Sequence, residues 1–191
     1  MELSGNNVVN MTVRREVLED AWAAGGLGLL LVTTLLWIDF RGLRRAAMAL
    51  APLLVGLAWM LGAMVLFEIH MNFINIFVTT MIIGIGVDYG VHVLHRYLEV
   101  RDLSDEDFGN GLHETGKAVV AAALSTIAGF GSITFSHYPG LVSTGKVAIL
   151  GAVTTSLVSI TVLPALLAWR RERRQKARAA QGQVQDEMWD F

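Results

Sequence analysis

Asp88 is a carboxylate placed where hydrocarbon is expected to surround it. It lies in the stretch Gly84-Ile-Gly-Val-Asp-Tyr-Gly-Val-His92, fifteen residues after the predicted start of an apolar segment at 73. A charge at the centre of a bilayer costs about 2.5–3.5 kcal/mol on insertion scales, so it is retained where it pairs with another group or handles ions. Burial favours the protonated form of a carboxyl group. We therefore predict proton exchange at Asp88; the alternative is a structural aspartate held by hydroxyl groups.

Three ionisable residues follow Asp88 along the same predicted helix face. His92 comes one turn later, and His95 and Arg96 come one further turn on. They could form an exit path for protons, or the end of a membrane helix with Arg96 reaching the headgroups. The second interpretation is favoured for His95 and Arg96, whereas His92 fits both equally. No zinc site is expected at His92-x-x-His95, because no further ligands follow at matching spacing.

Small and hydroxyl-bearing residues form a stripe further along the chain, beside Thr126. Its members are Ser125, Gly129, Ser132 and Ser136. Small residues at four-residue spacing let membrane helices pack closely, which accounts for most of the stripe. A buried Asp88 also needs hydrogen-bond partners. Ser125 and Thr126 are the candidates for that supporting role.

The segments that must position these residues are long and apolar. Of the 191 residues, 53% are hydrophobic and only 17% are charged, below the roughly 25% that is usual in soluble domains. Uncharged runs occupy 21–38, 46–67, 69–87, 118–145 and 147–169. Each is close to or longer than the roughly 18 residues that mark a membrane-spanning helix. The sequence predicts an all-α polytopic membrane bundle of five transmembrane helices.

Basic residues are distributed unequally between the two ends of these helices. Of the fifteen Lys and Arg residues, only Arg14, Arg15 and Lys146 fall on one side; the others follow the first, third and fifth runs. The positive-inside rule places the richer side in the cytoplasm. We therefore predict a multi-pass inner (plasma) membrane protein with its amino terminus outside and its carboxyl terminus in the cytoplasm.

The domain organisation follows from the same pattern. We predict an extracytoplasmic lead-in at 1–20, a transmembrane domain at 21–169 and a basic cytoplasmic tail at 170–191. The predicted spans cover about 21–40, 46–67, 73–95, 117–136 and 146–169. Between the third and fourth spans, Ser104 with Asp107 resembles a capping box, which indicates a short interfacial helix within 99–116.

Two motifs together resemble a known family of membrane proteins. Gly84-Ile-Gly-Val-Asp-Tyr-Gly-Val-His92 with His95-Arg-Tyr97, and Leu124-Ser-Thr-Ile-Ala-Gly-Phe-Gly-Ser132, are similar to the membrane domain of the resistance–nodulation–division (RND) exporter superfamily, nearest to its MMPL branch. The resemblance covers about 21–169 and corresponds to the last five helices of one half, without its extracytoplasmic domain. Sterol-sensing domains share this five-helix unit.

The resemblance implies a function and a role for the central aspartate. In the family an Asp-Tyr pair belongs to a proton relay, which corresponds to Asp88 and Tyr89 here. The implied function is the membrane module of an exporter of lipids or other hydrophobic substrates. It would be driven by the proton gradient, without a cofactor, a metal or an enzymatic reaction. Expected partners are the lipid bilayer, the substrate, and a second RND half or another copy, but not nucleic acid. The alternatives are a lipid-binding or sensing module like a sterol-sensing domain, and an inactive fragment of a transporter.

Overall fold

The computed structural model describes the backbone of residues 2–70 and 72–189, and the side chains of 19–20, 23–70, 72 and 74–177. Within these residues the chain forms five α-helices: α1 (Glu2–Phe40), α2 (Leu43–Leu66), α3 (Phe73–Val100), α4 (Asp105–Ile133) and α5 (Pro139–Trp189). All five are long and apolar enough to cross a membrane. The predicted all-helical fold with five potential membrane helices is confirmed.

Short connections make successive helices antiparallel, and local chemistry sets where they begin. The α1–α2 turn consists of Arg41 and Gly42 alone. Asn72 caps α3 by accepting hydrogen bonds from two backbone amides, each at 2.9 Å. The Ser104 hydroxyl oxygen accepts a hydrogen bond from the Asp107 backbone amide at 3.1 Å, and Ser104 is therefore the N-cap of α4. Pro139 is the first residue of α5, where its missing N–H costs no hydrogen bond.

Helix α5 is the centre of the bundle, and it packs against α2, α3 and α4. Helix α1 lies at the edge and packs against α2 and α3. Glycines let the central helices approach closely. An ideal Cβ on Gly56 of α2 would lie 2.6 Å from the Thr155 Cα of α5, and one on Gly151 of α5 would lie 2.3 Å from the Ile82 Cδ1 of α3. These contacts fix α3 against its neighbours.

One buried arginine joins α5 to the loop between α3 and α4. The Arg171 guanidinium donates to the carbonyl oxygens of Arg101 and Leu103 at 2.9 and 2.7 Å, and to the Asp105 carboxylate at 2.6 Å. It also lies 4.3 Å from the centre of the Phe108 ring. We call this end of the bundle, where the α1–α2 turn, the α3–α4 loop and the part of α5 after Trp169 meet, the basic end.

The structure differs from the sequence prediction between α3 and α4. The prediction of a short interfacial helix within 99–116 was wrong, because α3 continues to Val100 and α4 runs unbroken from Asp105. The Ser104 cap starts the long helix directly, so no second break is needed. Residues 2–20 of the predicted lead-in belong to α1, and residues 170–189 of the predicted tail belong to α5. The side chains of 1–18 and 178–191 lie outside the described residues.

Candidate functional site

Glycines on one face of α3 pack against its neighbours, and this packing determines the direction in which Asp88 on the opposite face points. Residues two apart on a helix point about 200° apart, so Gly86 and Gly90 lie opposite Asp88. An ideal Cβ on Gly90 would lie 2.2 Å from the Ala49 carbonyl oxygen of α2, and one on Gly86 would lie 2.9 Å from the Leu53 Cδ1. These contacts turn Asp88 away from α2 and α5. Gly84, on the Asp88 side, has no atom within 4 Å of its ideal Cβ.

The Asp88 face of α3 opens onto a groove that it shares with α4. The groove has a volume of about 580 Å³ and reaches from the middle of α3 to its carboxyl end. Its α3 side carries Asp88, His92, His95 and Glu99 at intervals of three or four residues, which places them on one face. The groove therefore connects the central carboxylate to the basic end through ionisable groups.

Asp88 itself is exposed on this face and makes no hydrogen bond or ion pair with any residue that the structure describes. Tyr89, the next residue of α3, lines the same groove but is buried, with 3% of its surface exposed. Its hydroxyl lies beside Thr126 of α4, yet it has no hydrogen-bond partner within the described part of the chain. The Thr126 hydroxyl donates instead to the Ala122 carbonyl at 3.1 Å. Tyr89 and Thr126 therefore form the inner end of the groove beside Asp88.

The three basic residues after Asp88 have different surroundings. His92 lines the groove and is exposed. The His95 Nε2 lies 2.7 Å from an Asp39 carboxylate oxygen, and its ring lies 4.6 Å from the ring of Phe40, so it joins α1 to α3. Arg96 pairs with Glu99 of its own helix at 3.0 Å. Of these three, His92 is the residue nearest in the chain to Asp88 that keeps an exposed ring in the groove.

The part of the predicted stripe that lies on α4, called here the α4 stripe, does not pack against the rest of the described chain, whereas Ser136 lies beyond the end of α4 and is half-buried. Ser125, Gly129 and Ser132 are exposed, and the ideal Cβ of Gly129 has no atom within 4 Å. The Ser125 hydroxyl donates to the Ala121 carbonyl at 3.0 Å and does not line the groove. The structure therefore brings Thr126, but not Ser125, to the site of Asp88 and Tyr89.

The chain matches a known family of membrane proteins over its whole length. The model of the MMPL family matches residues 1–191. The chain belongs to the MMPL family. The predicted resemblance to the MMPL branch of the RND superfamily is confirmed. MMPL is a transporter family and not an enzyme family. The chain is accordingly a multi-pass membrane protein.

Individual relatives are identical to the chain at about a third of the aligned positions. A membrane protein of Methanocaldococcus jannaschii is 35% identical over 144 residues, which is 74% of this chain and 37% of that protein. The hopanoid transporter HpnN of Rhodopseudomonas palustris is 33% identical over 145 residues, 75% of this chain and 16% of HpnN. The transport protein MmpL12 of Mycobacterium tuberculosis is 30% identical over 109 residues, 52% of this chain and 9% of MmpL12. The chain thus spans about a third or less of the length of these relatives.

Two acidic residues of the groove in this MMPL chain were not among the predicted site residues. Glu99 continues the spacing of Asp88, His92 and His95, and that periodicity could have revealed it. Glu114 belongs to α4, where its carboxylate lies 2.8 Å from Lys117. No sequence signal connects Glu114 to Asp88, because their proximity to one groove depends on how α4 packs beside α3.

Proposed function

We propose that this chain is the membrane module of a proton-driven MMPL exporter, and that Asp88 takes up and releases the proton. The groove from Asp88 to the basic end is the observation that carries the proposal. A proton relay needs a titratable group deep in the membrane together with a polar route to one side. Asp88 supplies the first, and His92 and Glu99 line the second.

Protonation at Asp88 can change how α3 packs. Placing a charged carboxylate against hydrocarbon costs more free energy than placing a protonated carboxyl group there. Protonated Asp88 can therefore lie in apolar surroundings that the charged form disfavours. Moving one charge across the membrane supplies about 2.3 kcal/mol per 100 mV. Repeated proton passage can therefore drive α3 between two arrangements. Tyr89 and Thr126 lie where a hydroxyl could assist transfer at the inner end of the groove.

The proposed substrate class is a lipid or another hydrophobic molecule. HpnN, which aligns with 75% of this chain, is named a hopanoid transporter. We infer a substrate of similar hydrophobic character. Because the chain spans only 16% of HpnN, the substrate route itself is expected to involve parts that this chain does not supply.

A second RND half or another copy of the chain is the proposed cover for the Asp88 face. Phe77, Met81, Gly84, Asp88 and His92 lie exposed along α3. Leaving a carboxylate against lipid costs about 2.5–3.5 kcal/mol on insertion scales, and association removes that cost. Small residues of the neighbouring α4 stripe would let a partner helix approach closely.

We further infer that the basic end faces the cytoplasm of a cell whose inner membrane holds the chain. The basis is the excess of Lys and Arg at that end. Protons would then leave the groove on the cytoplasmic side, which is the direction that an inward proton gradient requires.

The function is tested by export from the complete transporter under an imposed pH gradient. Asp88→Asn keeps the size and hydrogen-bonding capacity of the side chain but removes its titratable proton, so export should stop while insertion and assembly continue. Asp88→Glu is the matched control, since it retains a titratable carboxyl group and should retain part of the activity. Full export by Asp88→Asn would end the relay proposal and favour the lipid-sensing alternative.

A further inference from the structure

A second cavity, separate from the Asp88 groove, lies at the basic end of the bundle. Its volume is about 540 Å³, within the roughly 300–1,000 Å³ of typical small-molecule sites, and it shares no lining residue with the groove. The α1–α2 turn forms one wall with Arg41, Arg44 and Arg45. These three arginines converge on one space, which the positive-inside rule alone does not require.

The opposite wall comes from α5 and adds three more arginines around an aromatic ring. Arg170, Arg173 and Arg174 line the cavity together with Trp169. The Arg173 guanidinium carbon lies 4.0 Å from the centre of the Trp169 ring, which holds that cation in place beside the opening. Arg170 contacts the sulfur of Met48 on α2. The cavity is therefore built from two elements distant in the sequence.

The positive charge of this cavity is largely uncompensated by the side chains that the structure describes. Arg101 of the α3–α4 loop is the seventh arginine of the lining, and no Asp or Glu lines the cavity among the described residues. Of the seven, only Arg101 forms an ion pair within the described side chains, with Asp102 at 3.1 Å. Guanidinium groups match phosphate oxygens bidentately. An oxyanion bound between the walls would compensate the remaining charge.

The backbone of Arg41 gives an independent indication. Arg41 has a φ of 49°, in the left-handed region where a residue with a side chain is disfavoured by about 1–2 kcal/mol. The adjacent Gly42 has an extended φ of −179° and makes no use of its freedom. A strained residue at a position suited to glycine is typical of functional sites. The strained backbone conformation is the one in which the Arg41 side chain lines this cavity.

We propose that this cavity binds a phosphate-bearing anion, and that the headgroup of an anionic phospholipid is its source. Basic pockets between membrane helices bind such headgroups. Trp169 is 48% exposed at the end of the apolar part of α5, and Leu43, which lies between the lining residues Gly42 and Arg44 in the chain, is 69% exposed. These side chains offer an apolar surface to the acyl chains while the arginines hold the phosphate. A soluble phosphate would use the same arginines without that surface.

The test measures lipid selectivity of the full chain in phosphatidylcholine nanodiscs. Spin-labelled phosphatidylglycerol should associate with the chain several-fold more strongly than spin-labelled phosphatidylcholine. Arg173→Gln should remove most of this preference, because it takes away one of the guanidinium groups that would hold the phosphate in the cavity. Lys176→Gln removes the same charge three residues away on α5, outside the cavity, and should leave the preference unchanged.

Arg41→Gly keeps the test valid if other variants fold poorly. It removes one arginine of the cavity and relieves the left-handed strain, so its thermal midpoint should equal or exceed that of the parent while its lipid preference falls. Equal losses in Arg173→Gln and Lys176→Gln would mean diffuse attraction to the surface and would overturn the site.

A second arm adds inorganic pyrophosphate to nanodiscs of phosphatidylcholine alone, with sulfate at matched ionic strength. A rise in thermal midpoint that Arg41→Gly abolishes, without any lipid preference in the parent chain, would assign the same site to a soluble phosphate. No lipid preference and no response to pyrophosphate would refute the proposal. Both results are independent of Asp88 and of export.

Discussion

Gly90→Ala adds a single methyl group where α3 crosses α2. The new Cβ would lie 2.2 Å from the Ala49 carbonyl oxygen, 3.2 Å from its carbonyl carbon and 3.6 Å from the Pro52 Cγ. Carbon and oxygen atoms in contact normally stay about 3.3–3.6 Å apart, so the helices must separate locally by about 1 Å. The obstacle is backbone, which cannot rotate away as a side chain can.

The expected loss of stability is the balance of two effects. Overpacking a close-packed site costs about 1–3 kcal/mol, and contact with rigid backbone favours the upper end of that range. Replacing glycine with alanine inside a helix returns up to about 1 kcal/mol. The net expectation is a decrease of about 2 kcal/mol in the free energy of unfolding.

Gly84→Ala is the matched control, because its ideal Cβ has no atom within 4 Å. This variant adds the same methyl group to the same helix and should be unchanged or slightly more stable in the isolated chain. Denaturant titration in bicelles, followed by circular dichroism, measures both variants. If Gly90→Ala proves as stable as Gly84→Ala, the glycine contact neither sets the α2–α3 crossing nor turns Asp88 toward the groove.

Further predictions concern Tyr89, Arg171 and the orientation of the chain. Tyr89→Phe should leave the free energy of unfolding nearly unchanged, because the hydroxyl that it removes is buried without a partner among the described residues. The same variant should reduce export, but less severely than Asp88→Asn does. Arg171→Gln should lower the free energy of unfolding by about 3 kcal/mol in the same titration, because it removes charged hydrogen bonds to two loop carbonyls; an unchanged value would show that the loop is held by other contacts. Single cysteines at Gly42 and Asn110 should resist a membrane-impermeant thiol reagent in intact cells, while one at His137 should react. The reverse labelling pattern would contradict the proposed orientation.

The sequence could predict the helices because hydrocarbon imposes a length and a composition. Four of the five uncharged runs each lie mainly within one helix, whereas the run 118–145 also contains the α4–α5 turn, which Tyr138-Pro139-Gly140 marks. Helix ends were less predictable. Nothing in the apolar pattern shows that α3 continues to Val100, because a helix entering water remains a helix wherever its charged residues pair, as Arg96 does with Glu99.

The orientation of each helix about its axis could not be predicted from the same pattern. A helix that is apolar all round has no periodicity that distinguishes a buried face from a lipid-facing one. Ser125 and Thr126 are adjacent and about 100° apart, so the sequence offered both as partners of Asp88, whereas only Thr126 lines the groove. The pairing of His95 with Asp39 joins residues 56 positions apart and follows only from the packing of α1 beside α3.

Infrared difference spectroscopy of the chain in nanodiscs tests most directly whether Asp88 handles protons. A protonated carboxyl group has a C=O stretch distinct from that of a carboxylate, so gain or loss of a proton at one residue appears as a band that substitution of that residue removes. A change of pH should alter a protonated-carboxyl band that the parent chain shares with Glu106→Gln, which alters an exposed carboxylate outside the groove. Asp88→Asn should lack that band at every pH. A band that persists unchanged in Asp88→Asn, or a parent chain with no such band, would contradict the assignment of Asp88 as the proton-carrying group.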